Sequence, residues 1–178
     1  MFRPIFAVAT VVFLLAVALP CPVVAQSKQQ QLQLEITSPA FKEGEMIPKL
    51  YTCKGKDGSP PLKIAPVVKE SKSLVLIMDD PDAPSGDFVH WVIWNMSPKT
   101  SIIKNSIAPE GAMEGYTSLN KPGFVAPCPP SGIHRYNFKL YALDAVLSIP
   151  KFSNKADLTR AMDKHIIGSA EIIGLYGK

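Results

Sequence analysis

The sequence predicts a mainly β domain, a β-sandwich with one or two short helices. Three observations carry that expectation. Strongly apolar or alternating runs recur between turn-rich connections, a single segment has helical spacing, and neither an internal repeat nor a linker divides the chain. With 178 residues, 47% hydrophobic and 19% charged, the chain is long enough to bury a sizeable core as one globular domain.

The first 25 residues stand apart. Arg3 is the only charged side chain before Lys28, and residues 5–19 run almost purely apolar before Val23-Val24-Ala25. A short basic start, an apolar run of this length and a small-x-Ala exit predict a secretory signal peptide over residues 1–25. The run is shorter than the roughly 20 apolar residues of a membrane span. An exported protein is therefore expected, periplasmic or secreted, with no stable membrane insertion once the signal is removed.

Residues 26–31 read as a polar lead-in expected to be a flexible tether, and the domain is expected over residues 32–178. Leu32-Gln33-Leu34-Glu35-Ile36 alternates with period two, as a half-buried strand does. Residues 73–78 (SLVLIM) form a continuous apolar run, suited to a central strand buried on both faces. Residues 88–96 (FVHWVIWNM) are aromatic and β-branched, and residues 135–143 alternate cleanly. Asn154 and Asp157 have the spacing of a helix cap, after which Leu158, Met162 and Ile166 recur every four residues with Ala161 beside them. Residues 170–176 read as a closing strand. The connections, residues 54–61, 79–86 and 121–132, are rich in proline and glycine.

A formal charge of +4 with no run of five or six like charges argues against nucleic-acid binding. Residues 26–178 keep two cysteines, Cys53 and Cys128. In an oxidising compartment an even pair suits a disulfide, and two separate buried thiols are the alternative.

Two of the three histidines, His90 and His134, each follow a rigid, proline-rich loop. Strand alternation puts His90 on one face with Phe88, Val92 and Trp94. It points His134 and Tyr136 one way and Arg135 the other, where Arg135 is expected to meet a buried carboxylate, Asp82. His165 is expected at the surface. Taken singly, these are core histidines and turn aspartates.

Taken in order, Asp80-Pro81-Asp82-Ala83-Pro84, His90-Trp91 and Gly132-Ile133-His134-Arg135-Tyr136 resemble the phosphatidylethanolamine-binding protein family, also called the Raf kinase inhibitor-like proteins. Residues 51–53 (YTC), 59–61 (SPP), 127–132 (PCPPSG) and 141–144 (YALD) are similar to its bacterial and archaeal branch, the YbhB/YbcL type. The resemblance covers nearly all of residues 32–178. It implies two antiparallel β-sheets with a small helical element, and a shallow surface pocket for phosphate, phosphorylethanolamine and similar anions. Asp80, His90, His134 and Tyr136 match the pocket, Pro84, Pro129 and Pro130 its rim, and Asp82 with Arg135 the family's buried structural pair. Two departures stand out. Residues 122–126 (PGFVA) replace a Gly-rich stretch common in bacterial relatives, and the tryptophan many members carry before the histidine is missing.

Two imidazoles and a phenol can donate to phosphate oxygens, and the carboxylate beside them orients an imidazole while repelling a fully ionised phosphate. A singly protonated phosphate or an ethanolamine head suits such a site, with binding that weakens as pH rises through the histidine range. The expectation is a binding protein for a small anionic ligand, needing neither metal nor cofactor and not an enzyme. Regulation or inhibition of a protein partner is a further expectation, and exposed strand edges allow a homodimer. Two alternatives fit less well: a protease or kinase inhibitor that does not use the pocket, and a metal-dependent or acid–base hydrolase built on Asp80, His90 and His134.

Overall fold

The computed structural model describes residues 34–56, 58–65 and 69–177. The proposed signal peptide and lead-in, with Leu32 and Gln33, lie outside the described residues. Among the described residues no helix is long and apolar enough to cross a membrane.

Among the described residues eight strands make two antiparallel sheets. β1 (Ile36–Thr37), β2 (Leu62–Ile64) and β5 (Ile102–Ile103) form a small sheet in the order β1-β2-β5. The larger sheet contains β3 (Ser73–Asp80), β4 (Phe88–Met96), β6 (Met113–Glu114), β7 (Ile133–Leu143) and β8 (Ile166–Gly177), in the order β6-β4-β3-β7-β8. β3 takes the central place its apolar run predicts, and all eight of its residues are buried.

The alternation along β3 divides the core in two. Leu74, Leu76 and Met78 point into the sandwich, where they meet Leu62, Ile64, Trp91 and Phe138. Val75 and Ile77 point the other way, to Val92, Trp94, Leu147, Leu158 and Met162. The second group is the floor beneath α1 (Lys155–Met162), the only α-helix among the described residues. The helix starts where the cap spacing predicts. Asn154 accepts from the Asp157 backbone N–H at 3.0 Å, and the Asp157 carboxylate returns to the Asn154 N–H.

Its end differs from the sequence expectation. The helix stops at Met162, a 3-10 turn spans Asp163–His165, and Ile166 opens β8 instead of extending the helical stripe. The pairing of β8 with β7, which runs from Ile133↔Gly177 to Leu143↔Ile166, claims these residues for the sheet. Helical spacing over three positions is weaker than eleven residues of cross-strand pairing. At the other end, Leu34 and Ile36 are buried and Glu35 is exposed, as alternation requires, yet ladder pairing begins only at Ile36. The connection expected from residue 79 begins two residues later, because β3 continues through Asp79 and Asp80.

Asp79 is fully buried on the helix side of the sheet. A carboxylate there needs partners, since an isolated buried charge is costly. Lys139 on β7 supplies one at 2.9 Å and Lys155, the first residue of α1, a second at 2.5 Å. Lys155 also reaches Asp87. Converting Lys139 and Lys155 together to methionine strands the Asp79 charge, with an expected loss of about 3–5 kcal/mol of stability. Denaturant midpoints check this, and a loss below about 1 kcal/mol, the scale of a surface pair, would mean that water replaces the lysines.

Candidate functional site

β3, β4 and β7 bring Asp80, His90, His134 and Tyr136 to one end of the sandwich. All four are buried, and they line a cavity of about 300 Å³. Gly132 turns the chain into β7 with φ 71°, a left-handed conformation suited to glycine. Strict alternation then buries His134 and Tyr136 and exposes Ile133 and Arg135.

Asp80 and His134 are joined by a 2.7 Å hydrogen bond from Nδ1 to the carboxylate. The second carboxylate oxygen of Asp80 accepts from the Asp82 backbone N–H at 2.9 Å, which bends the chain after β3 into an Asx-type turn. With Nδ1 committed to Asp80, the Nε2 of His134 is the ring atom left for a ligand. Tyr136 carries a buried hydroxyl with no hydrogen-bond partner among the described residues. Burial, reinforced by the Asp80 charge, raises its pKa, so the phenol keeps its proton and can donate it.

His90 reaches the cavity by a route that alternation does not predict. Met78 pairs with Trp91 but Asp79 pairs with Val89, so β4 carries one extra residue against β3. In this β-bulge His90 and Trp91 turn to the same side. His90 leaves the face of Val92 and Trp94, which sit beneath α1, and stands edge-on to Tyr136 with ring centroids 5.2 Å apart. Phe88 stays with it, 4.8 Å from ring to ring.

The proline-rich loop closes the cavity over these rings. Val125 N–H donates to the His90 carbonyl at 2.9 Å, and His90 Nδ1 donates to the Val125 carbonyl at 2.7 Å. Phe124 packs edge-on against Trp91. The PGFVA segment thus supplies wall contacts of its own in place of a Gly-rich stretch. Farther along, Pro129 and Pro130 line the cavity, as does Pro84. A Cys53–Cys128 disulfide, closing a loop of 75 residues, anchors this rim beside the Cys53 N–H bond to the Pro127 carbonyl. A crosslink of that kind is commonly worth about 2–4 kcal/mol.

Arg135 and Asp82 form the expected pair through two side-chain bonds, at 2.9 and 2.7 Å, and one from the Arg135 backbone. The pair is not buried. The arginine side chain is 56% exposed and that of Asp82 31%, because odd-numbered residues at the start of β7 face solvent. The guanidinium still holds the Asp82 carboxyl down to a pKa of about 2. The pair ties the DPDAP loop to β7 from outside. His165 is at the surface as expected, bonded to Asp144 at 2.8 Å.

Sequence reasoning missed Leu119, Val125 and Ala126 among the cavity-lining residues. The part Val125 plays is a backbone carbonyl, which any residue type supplies. Among the described residues no group of three or more His, Cys, Asp or Glu side chains is spaced to hold a metal ion. A wider groove of about 750 Å³ lies along α1, away from the histidines. It is larger and has polar side chains of its own, Asp87, Lys155 and Arg160 among them, but none of its lining residues carries a buried polar atom without a partner, as Tyr136 does in the smaller cavity.

A family model described as phosphatidylethanolamine-binding protein matches residues 37–177. A UPF0098 protein of Methanothermobacter thermautotrophicus is 44% identical over 148 residues, spanning 80% of this chain and 98% of that protein. Another, from Chlamydia trachomatis, is 44% identical over 150 residues, covering 82% and 99%. Among solved structures, a putative phosphatidylethanolamine-binding protein homolog from Chlamydia trachomatis superposes with a TM-score of 0.78 at 43% identity, covering 82% of this chain and 98% of that one. E. coli YbcL superposes at 0.75 with 27% identity, covering 82% and 99%.

The buried His90 gives stability a pH signature. Desolvation, the largest influence, lowers its pKa below the ordinary 6.5, against the opposing pull of the Val125 carbonyl and the Asp80, Asp79 and Asp87 charges. Below pH 6.5 the unfolded chain therefore binds a proton that the folded state resists. This contribution is complete above pH 6.5 and is lost as pH falls through that value toward the folded pKa. Denaturant midpoints taken between about pH 7 and pH 5 should fall more steeply for the wild type than for His90→Gln. Parallel profiles would mean that the ring is hydrated.

Proposed function

The chain belongs to the phosphatidylethanolamine-binding protein family, and from that premise we propose that it is an exported binding protein whose pocket at Asp80, His90, His134 and Tyr136 receives phosphate or a phosphorylethanolamine-like anion. The observation that carries this reading is the buried hydroxyl of Tyr136, which has no partner among the described residues on a side chain that lines the same cavity as the two histidines. An unmet buried polar group costs about 1–3 kcal/mol, and a ligand oxygen placed against it recovers that energy.

The other groups point the same way. Asp80 orients His134 so that Nε2 is free for the ligand, and when protonated that nitrogen is a charge-assisted donor. Burial biases His90 toward the neutral ring, so that ring adds no positive charge to the site. No step of bond making or breaking is required of these groups, and the reading is of a receptor rather than an enzyme. The site also suits an anion carried on a protein. Leu119 lines the cavity while 51% exposed, and a partner presenting the anion would cover it. In that case the protein acts as a regulator or inhibitor of its partner. Export is supported by the leader-like residues 1–25 and by the exposed Cys53–Cys128 disulfide, which suits an oxidising compartment.

Calorimetric titration with phosphate and phosphorylethanolamine, wild type beside His134→Ala, tests the proposal. Wild type is expected to bind and the variant to bind at least about tenfold more weakly, the scale of one charge-assisted hydrogen bond. A folded wild type that binds neither anion would remove the pocket from the function and favour an inhibitor that works through another surface.

A further inference from the structure

We infer that the pocket selects the singly protonated form of a phosphomonoester-like oxyanion, and that His90 Nε2 accepts the proton of its P–OH group. The inference rests on the pocket being the anion receptor proposed above. It adds a specificity-determining residue and a narrower ligand class.

The tautomer of His90 follows from its partner. The Val125 oxygen is a carbonyl and only accepts, so the 2.7 Å contact puts a proton on Nδ1. In the neutral ring Nε2 is then a lone pair. That atom has no partner among the described residues, and the ring lines the cavity. Burial holds the ring in its neutral form by lowering its pKa. A ligand oxygen without hydrogen would therefore face a lone pair with a lone pair.

The charges around the cavity agree. Asp80 on β3 faces His90, as do His134 and Tyr136 on β7, with Asp87 and Asp79 acting from farther away. Among the described residues no lysine or arginine lines the cavity. Arg135 is turned outward onto Asp82, while Lys139 and Lys155 are engaged by Asp79 on the helix side of the sheet. A dianion entering here meets the Asp80 carboxylate with, at most, the His134 imidazolium to offset it. One proton on the ligand removes a unit of that repulsion and fills the Nε2 lone pair. The remaining ligand oxygens can take the Tyr136 hydroxyl and the Nε2–H of a protonated His134. Inorganic phosphate and phosphomonoesters can supply the P–OH. A phosphodiester or a sulfonate cannot.

The test uses two ligands of the same shape and charge, the methylphosphonate monoanion and methanesulfonate, which differ by the acidic hydrogen. Calorimetry on the wild-type protein at about pH 6, near the second pKa of a phosphate group, is expected to show the phosphonate binding about tenfold tighter, the scale of one hydrogen bond. The ratio should collapse at alkaline pH, where the phosphonate becomes a dianion, while the sulfonate arm carries any titration of the protein. Phosphorylethanolamine should likewise exceed glycerophosphoethanolamine, which separates a monoester from a lipid-type diester head group. In His90→Gln, whose amide both donates and accepts, the phosphonate-to-sulfonate ratio should fall toward one. Equal wild-type affinities, or a ratio unchanged in His90→Gln, would overturn the assignment and leave the anion receptor standing. If neither ligand binds, the receptor reading falls and this inference with it.

Discussion

Two carboxylates stand side by side at the buried end of the central strand, and neither tolerates being left without a counterpart. Because strand neighbours point to opposite faces, Asp79 and Asp80 impose this demand on both sides of the sheet at once. Asp79 is answered by Lys139 and Lys155, which draws the first residue of the helix onto the sheet. Asp80 is answered by His134 and by the Asp82 backbone N–H, which sets the imidazole and bends the DPDAP loop. One constraint thus positions the helix on one face and the pocket on the other.

The second determinant is the bulge in β4. Without the extra residue between Met78↔Trp91 and Asp79↔Val89, His90 would lie beneath the helix with Val92 and Trp94, and the pocket would lose one imidazole. The bulge turns it toward Tyr136, and the Val125 carbonyl then fixes which ring nitrogen carries the proton. The rim is held independently, by the Arg135–Asp82 fork on the outside and by the Cys53–Cys128 disulfide at the proline-rich loop. The pocket therefore has walls from three strands and two loops, each fixed by a contact that does not involve a ligand. Such preorganisation lowers the entropy cost of binding.

What was legible in the sequence followed from local physics. A fully apolar run located β3, clean alternation located β7 with the facing of His134, Tyr136 and Arg135, and the Asn154–Asp157 spacing located the start of the helix. What escaped depends on partners distant in the chain. β1, β2, β5 and β6 are two or three residues long, too short for a period to show, and exist because their neighbours pair with them. The true face of His90 depends on register against β3, the loss of Ile166 from the helix on pairing with β7, and the exposure of Arg135 and Asp82 on where the sandwich ends. The ordered motifs name Asp80, His90, His134 and Tyr136, which line one cavity, while the backbone oxygen that sets the chemistry of His90 has no signature in residue type.

The central claim is that the two imidazoles are held by their Nδ1 atoms, through Asp80 and Val125, and offer Nε2 to a shared ligand. A long-range ¹⁵N–¹H spectrum of the histidine rings, with and without phosphorylethanolamine, tests it most directly. The expected result is protonated Nδ1 in both rings before ligand is added, with the Nε2 signals of His90 and His134 moving together as it binds. An Nε2–H tautomer for His90, or Nε2 signals that do not respond to the ligand, would contradict the account.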